Sequence, residues 1–279
     1  MLIDTHAHVN FSAFKDDAGQ VIKRTLSGNV WLVNVGSQYS TSKRAVEMAK
    51  LYPQGVYAAI GLHPVHLSEG IFKAKIDAEE VEVETREEEF DYQRYKALAQ
   101  SEKVVAIGEI GLDYWYKPKS KVKQVDFKEK QLKVFLQQMD LARELNLPVI
   151  LHCRVAHQDL INNLPDKVKG VVHCFTGSWL QAQQYLNKGL CLGFNGIIFK
   201  LDLDEIIAQT PLDKMVIETD CPYLTPTGAE GRNEPLYVKY VAEKIAKIKK
   251  VSYEEVSRVT TKNAVKLFNL HESILSSTN

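Results

Sequence analysis

Two rhythms of apolar and polar positions alternate along this chain. Short apolar runs at 2–8 (LIDTHAH), 30–36 (VWLVNVG), 56–63 (VYAAIGLH), 104–111 (VVAIGEIG), 148–153 (PVILHC), 170–175 (GVVHCF), 189–195 (GLCLGFN) and 214–220 (KMVIETD) predict eight buried strands. Between them apolar residues return at helical spacing, most clearly over 124–146. Segments 235–249 and 252–270 predict two further helices after the eighth strand. Eight strand–helix alternations without a break in composition predict an α/β fold, a TIM (β/α)8 barrel. It is expected to form a single domain over 1–279, with an additional C-terminal helix.

Two charged stretches interrupt the rhythm. Residues 77–91 (DAEEVEVETREEEFD) carry nine acidic side chains and predict a solvated helix face or a surface insertion after the third strand. Residues 117–130 (KPKSKVKQVDFKEK) follow the fourth strand and are also expected to be solvated. Connections of this kind emerge on the catalytic face of a barrel, where these lysines can meet a phosphate backbone.

Composition narrows the class. Apolar residues make up 45% and charged residues 25% of the 279, which is ordinary for a globular protein. No apolar run approaches the ~20 residues needed to span a bilayer, so no membrane role is expected. The opening MLIDTHAHVN lacks a basic segment followed by an apolar one, which predicts no signal peptide. The four cysteines form no C-x-x-C pair, and a reducing, cytoplasmic location is expected. Lys+Arg and Asp+Glu both total 35, a net charge of zero. Proteins that grip long nucleic acid by bulk charge are usually basic, so any nucleic acid must be held locally, near the chemistry.

Candidate chemistry gathers at the strand ends. His6 and His8, at i and i+2, share one side of the first strand. Alone, such a pair is also what two surface histidines look like. Glu109, His152, His173 and Asp220 then stand near the ends of the fourth, fifth, sixth and eighth strands, where separate strands converge. An ionised carboxylate after an apolar run costs several kcal/mol unless it is paired or ligating. The six side chains therefore predict a metal site. Imidazole with carboxylate suits zinc or manganese, while more carboxylate and water favours magnesium. Cys153, Cys174 and Cys221 each follow a candidate ligand directly, and strand alternation turns them away as small buried hydrophobes.

At these residues the sequence resembles the TatD-type deoxyribonuclease family of the metal-dependent amidohydrolase superfamily. The matching stretches are DTHAH (4–8), GLHP (61–64), GEIGLDY (108–114), LPVILHCR (147–154), HCFTGS (173–178), ETDCPYL (218–224), RNEP (232–235) and TTKNAVKLF (260–268). The resemblance spans nearly the whole chain, in order. It implies a (β/α)8 barrel, two divalent metal ions (zinc, magnesium or manganese) and hydrolysis of phosphodiester bonds in DNA or oligonucleotides. It further implies that His6, His8 and Asp220 hold one ion, that His152 and His173 hold the other, and that Glu109 bridges them. Many two-metal amidohydrolases bridge with a carbamylated lysine on the fourth strand; this chain offers a carboxylate there, as TatD-type proteins do.

Two carboxylates offset half of the charge that two divalent ions bring, leaving a local positive field for a phosphodiester anion. Asp220 is expected to accept the attacking water's proton, or to act only as a ligand. Arg154, two residues past His152, offers a planar fork that suits phosphate oxygens. His63, closing the third strand, either donates to the phosphate or leaving group or caps the barrel structurally. Arg232 and Asn233 are further candidates for substrate binding. Asp113 and Glu218 are expected to orient ligands or pair with Arg154, and His66, His157 and His271 to be ordinary surface residues. No obligatory protein partner is evident. Ligands alone do not decide the substrate, so a deacylase or esterase on the same scaffold, such as an aminoacyl-tRNA deacylase or a lactonase, stays open as an alternative. A non-catalytic nucleic-acid-binding barrel is a further one.

Overall fold

The computed structural model describes residues 1–68, 70–76, 79–85, 87–115 and 120–270, by backbone alone over 70–76 and 79–85. Its strands are β1 (Leu2–Ala7), β2 (Val30–Val35), β3 (Val56–Ile60), β4 (Gly70–Ile76), β5 (Glu79–Thr85), β6 (Val104–Asp113), β7 (Val149–Arg154), β8 (Gly170–Val172), β9 (Cys191–Phe194) and β10 (Met215–Ile217). Eight of them form one parallel sheet in the order β1-β2-β3-β6-β7-β8-β9-β10. Helices α1 (Ala18–Ser27), α2 (Tyr39–Lys50), α3 (Tyr92–Leu98), α4 (Lys121–Glu144), α5 (His157–Asn163), α6 (Trp179–Asn187), α7 (Asp204–Gln209) and α8 (Val238–Lys249) follow the eight strands in turn, and α9 (Tyr253–Phe268) is the additional one. This is the expected TIM barrel, each strand built from an apolar run.

The sheet closes where β1 meets the chain leaving β10. The Asp220 N–H donates to His6 O at 2.8 Å and the His8 N–H to Cys221 O at 2.9 Å. Asp4, fully buried, reinforces this seam by accepting from the Thr219 N–H (2.9 Å) and hydroxyl (2.6 Å). A buried carboxylate is tolerated there because donors surround it. Burial still pushes its pKa well above the ordinary value, against the opposing hydrogen bonds from Thr219 and His6.

Strand alternation divides the apolar residues into two layers. Leu32, Ala58, Ile107, Leu151 and Val172 pack outward against the ring of helices. Their neighbours Val33, Ala59, Ala106, Ile150 and Val171 face the other way and join Ala264, Val265, Leu267 and Phe268 of α9. Helix α9 begins at Ser252, whose side chain accepts from the Glu255 N–H, with Glu254 and Glu255 in the first turn. It ends at a left-handed Asn269. Thr261 donates to Met1 O at 3.0 Å and Asn263 to Met215 O at 2.7 Å, both at strand starts. The extra helix thus closes the floor of the barrel, opposite the end where the candidate ligands stand. Among the described residues, no helix is long and apolar enough to cross a membrane.

The charged stretches are corrected in detail. Between β3 and α3 the chain forms an antiparallel hairpin of β4 and β5, with Lys73 opposite Glu82 and Lys75 opposite Glu80. The insertion expected over 77–91 is therefore there, but as strand rather than helix, because EEVEVET alternates with period two. Positions 77, 78 and 86 lie outside the described residues, as do 116–119 and His271. Of the lysines at 117–130, Lys128 pairs with Asp159 at 3.3 Å and Lys130 pairs with Glu87, so these two are balanced by acids within the protein.

Gly111 shows how tightly the site's strands are drawn together. It pairs with His152 across β6 and β7 and holds φ at +149°. A Cβ there would lie 1.9 Å from His152 O. Gly111→Ala is expected to destabilise the protein by at least about 2 kcal/mol, lowering Tm by several degrees. An unchanged thermal unfolding curve would contradict this packing.

Candidate metal centre

All six expected ligands converge at the C-terminal end of the barrel. His6 stands next to last in β1 and His8 directly follows the strand; Glu109 stands within β6, His152 within β7, and His173 directly after β8. Asp220 lies three residues beyond β10, in a left-handed conformation (φ +59°) held by its N–H bond to His6 O. Positive φ is costly for a residue with a side chain and persists where the surroundings enforce it.

Glu109 is the hub. Its Oε2 lies 3.5 Å from His6 Nε2 and 3.9 Å from His8 Nε2. Its Oε1 lies 2.7 Å from His152 Nδ1, 2.8 Å from His173 Nε2 and 3.4 Å from His63 Nε2. Asp220 Oδ1 completes the first group, 3.2 Å from His8 Nε2 and 3.8 Å from His6 Nε2. Three sets of donor atoms each gather within 4.8 Å: His6, His8 and Asp220; His6, Glu109 and His173; His63, Glu109 and His152.

The donor set fits a cation. His8 Nδ1 lies 2.8 Å from Val35 O, a carbonyl that only accepts, so Nδ1 carries the ring's hydrogen. In the neutral ring Nε2 is then a bare lone pair, yet it faces the Asp220 carboxylate at 3.2 Å. Acceptors packed against acceptors repel unless positive charge sits among them. A divalent ion removes the conflict.

Carbonyl and carboxylate partners aim the other rings. Asp113 Oδ2 lies 3.2 Å from His152 Nε2, and Glu218 Oε1 approaches His173 Nδ1 at 3.5 Å. The Glu218 carboxylate also accepts from the Cys174 N–H (2.6 Å) and Asn195 Nδ2 (3.2 Å). It occupies space that a side chain at 193 would need: a Cβ on Gly193 would come within 2.5 Å of Oε2. Phe11 stacks on His8 with ring centroids 4.2 Å apart.

Charge is set by burial and by these neighbours. Burial pushes Glu109 up, but the surrounding His63, His173 and His152 hold its carboxyl well below the ordinary value. Asp220 behaves alike: burial raises it, while His8, His6 and His173 bring it below its usual range. Burial lowers His6 and His63. Burial also pulls His152 down, but its bonds to Asp113 and Glu109 hold it up at about 9.

His63 is buried beside the hub. Its Nδ1 accepts the Val65 N–H at 3.0 Å, so the neutral ring carries its hydrogen on Nε2, the nitrogen facing Glu109. Arg154, at the end of β7, is exposed, its guanidinium carbon 4.6 Å from the Trp115 ring centroid. Asp113 and Glu218 turn to histidines rather than to Arg154.

Arg232 and Asn233 stand differently from the expectation. Arg232 is held by Ala13 O, by Asp17 at 2.6 Å and by the Phe14 ring at 3.9 Å. Asn233 is fully buried; its Nδ2 donates to Thr219 O (2.9 Å) and Tyr223 O (2.5 Å), and its Oδ1 accepts from the Glu234 N–H. Both amide hydrogens thus serve the loop that carries Asp220, leaving no donor for a phosphate. Nor are His66 and His157 ordinary surface residues. His66 Nε2 contacts Ser37 Oγ at 3.2 Å and His157 Nδ1 contacts the Tyr185 hydroxyl at 3.1 Å, and burial pushes each down to about 4. Burial pushes the Cys153 and Cys174 thiols up to about 12, which agrees with inert packing.

Two residues escaped the sequence reading. Asp4 shares the i, i+2 alternation that aligned His6 with His8, and that signal alone would have found it. Tyr223 lies in the turn after Asp220, its ring centroid 6.4 Å from that of His8. Burial, with Asp220 and Glu109 nearby, pushes its hydroxyl pKa up.

A family model described as TatD related DNase matches residues 3–269. The chain belongs to the TatD family. The metal-dependent hydrolase YabD of Bacillus subtilis is 41% identical over 281 residues, covering 97% of this chain and 100% of YabD. The 3'-5' ssDNA/RNA exonuclease TatD of Erwinia tasmaniensis is 31% identical over 283 residues, covering 96% of this chain and 100% of that one. The solved structure of YJJV, a TatD homolog from Escherichia coli K12, aligns with a TM-score of 0.81 and 28% identity, over 97% of this chain and 98% of that chain. This TatD-family chain is a metal-dependent hydrolase.

An imidazole must lose its proton before it ligates. With His152 at about 9 in the metal-free protein, metal uptake at neutral pH is expected to release a proton. Affinity should rise as pH increases from 7 through about 9, the more so because Glu109 and Glu218 also hold His173 well above its ordinary value against burial. The sign for stability runs the other way. The folded value exceeds the ordinary 6.5, so His152 stabilises the metal-free fold fully below that pH and ceases to as pH passes through about 9. Titration calorimetry in buffers of different ionisation heat measures the released proton; uptake with no release at pH 7 would contradict the assignment.

Proposed function

We propose that this chain cleaves phosphodiester bonds in DNA or oligonucleotides with two divalent ions, zinc, magnesium or manganese. His6, His8 and Asp220 would hold one ion, His152 and His173 the other, and Glu109 both. One observation carries this reading: the two oxygens of Glu109 face different groups of histidines, Oε2 toward His6 and His8, Oε1 toward His152 and His173. A carboxylate so placed fits two cations rather than one. The exonuclease name of the Erwinia tasmaniensis relative supports a nucleic-acid substrate.

When bound, the ions supply Lewis-acid charge and bring the pKa of an attacking water from 15.7 toward ~7. The side chains do the rest. Asp220, kept ionised by His8, accepts the attacking water's proton. His63 presents an Nε2–H, fixed by the Val65 N–H on its other nitrogen, and donates to the phosphate or the leaving oxygen. Arg154, on the exposed rim, binds a non-bridging phosphate oxygen through its guanidinium fork. Arg232 and Asn233 support the loop instead of touching substrate.

End-labelled oligonucleotides test this reading. Exhaustive chelation is expected to abolish cleavage and added divalent metal to restore it; full activity after metal removal would end the proposal. Arg154→Ala is expected to raise KM about tenfold with a smaller change in kcat, the size of one charge-assisted hydrogen bond. An unaltered KM would remove Arg154 from the site.

A further inference from the structure

We propose that Trp115 is a stacking platform for a nucleobase beside the bond to be cut, so that the site takes nucleic acid by an unpaired base as well as by its phosphate. The proposal rests on the nuclease reading and adds base recognition to it.

The first observation is exposure. Among the described residues only Trp115, at 58%, and Tyr253, at 36%, are exposed aromatic side chains. Tyr253 opens the helix on the barrel floor, whereas Trp115 stands at the opposite end, two residues past the end of β6. Exposed at this end, the indole offers a broad flat apolar face to whatever enters the site.

The second is its attachment. The Trp115 N–H donates to Asp113 Oδ1 at 2.8 Å, and the other oxygen of that carboxylate lies 3.2 Å from His152 Nε2. His152 in turn meets Glu109 at 2.7 Å. One short chain of contacts therefore fixes the backbone of Trp115 relative to the hub.

The third is its cation. Asp113 and Arg154 are register partners at the ends of β6 and β7, and the Arg154 guanidinium carbon lies 4.6 Å from the indole centroid. A cation held on an aromatic ring orients both groups. Alternating phosphate and base along a strand then meet cation and ring side by side, the combination by which single-stranded nucleic acid is bound without sequence preference. With zero net charge the chain supplies little long-range attraction, so contacts close to the chemistry carry the binding. A base can lie on the indole only when unpaired and drawn out of its own stack, so single strands and frayed ends are the expected substrates. Every base offers a π-face, so sequence preference should be weak.

The test compares wild type, Trp115→Phe and Trp115→Ala on one single-stranded oligonucleotide and on the same strand with abasic sites at the cleaved end. Wild type should have a KM about tenfold higher for the abasic strand. Trp115→Ala should raise KM about tenfold for the normal strand, raise the abasic KM much less, through the loosened Arg154 alone, and keep kcat within about twofold; Trp115→Phe should retain most of the affinity. An unaltered Tm checks that each variant folds. Quenching of tryptophan fluorescence by a phosphorothioate strand, lost in Trp115→Ala, gives a readout independent of turnover. If Trp115→Ala weakens both strands equally, or neither, the stacking role is overturned. If wild type shows quenching without cleavage, stacking stands and the nuclease reading falls; with neither, both fall.

Discussion

One buried carboxylate organises this protein. Glu109 lies within hydrogen-bonding or ion-pairing distance of five histidines that arrive from β1, from the turn after β3, from β7 and from the end of β8. A negative charge removed from water is costly unless positive charge returns to it, so the strands that deliver these rings are held to a narrow geometry. The need to keep β6 and β7 close explains the glycine opposite His152. The need to keep each ring turned inward explains the Val35 carbonyl and the Asp113 and Glu218 carboxylates behind them.

Much of this was legible in the sequence because it follows from local rules. Apolar runs of strand length marked all eight barrel strands, and polar donors where such runs end marked the residues that converge on Glu109. What the sequence hid was orientation. Arg232 and Asn233 look like substrate contacts as side chains near a catalytic motif, yet their partners (Asp17, Ala13 O, Thr219 O) come from loops whose proximity only the closed barrel creates. Nothing local marks His66 and His157 as half-buried; the groups that meet their rings, Ser37 and the Tyr185 hydroxyl, lie about thirty positions away along the chain. Of the two forms open to the acidic stretch, the surface insertion holds and the helix does not, because its alternation of period two makes a hairpin.

The loops around the ligands form a second layer of support. Arg24 bonds Glu234 through two nitrogens, and Arg232 bonds Asp17, so the turn after β1 and the turn after β10 are tied into one group of four charges. Isolated surface ion pairs contribute little, but a connected set that fixes two loops restrains the backbone that presents His8 and Asp220. Phe11, stacked on His8, belongs to the same turn. The donors are thus positioned by backbone geometry that polar contacts lock, and side-chain freedom contributes little.

The barrel's seam has a consequence for how the fold holds together. Asp4 and Thr219, which join there, are 215 positions apart along the chain, and bringing such distant ends into register costs about 5 kcal/mol of chain entropy. His6 and His8 stand on one side of that join and Asp220 on the other. A cation held by these three, as proposed, would therefore also be a crosslink between the first strand and the last, a clasp on the longest loop of the chain.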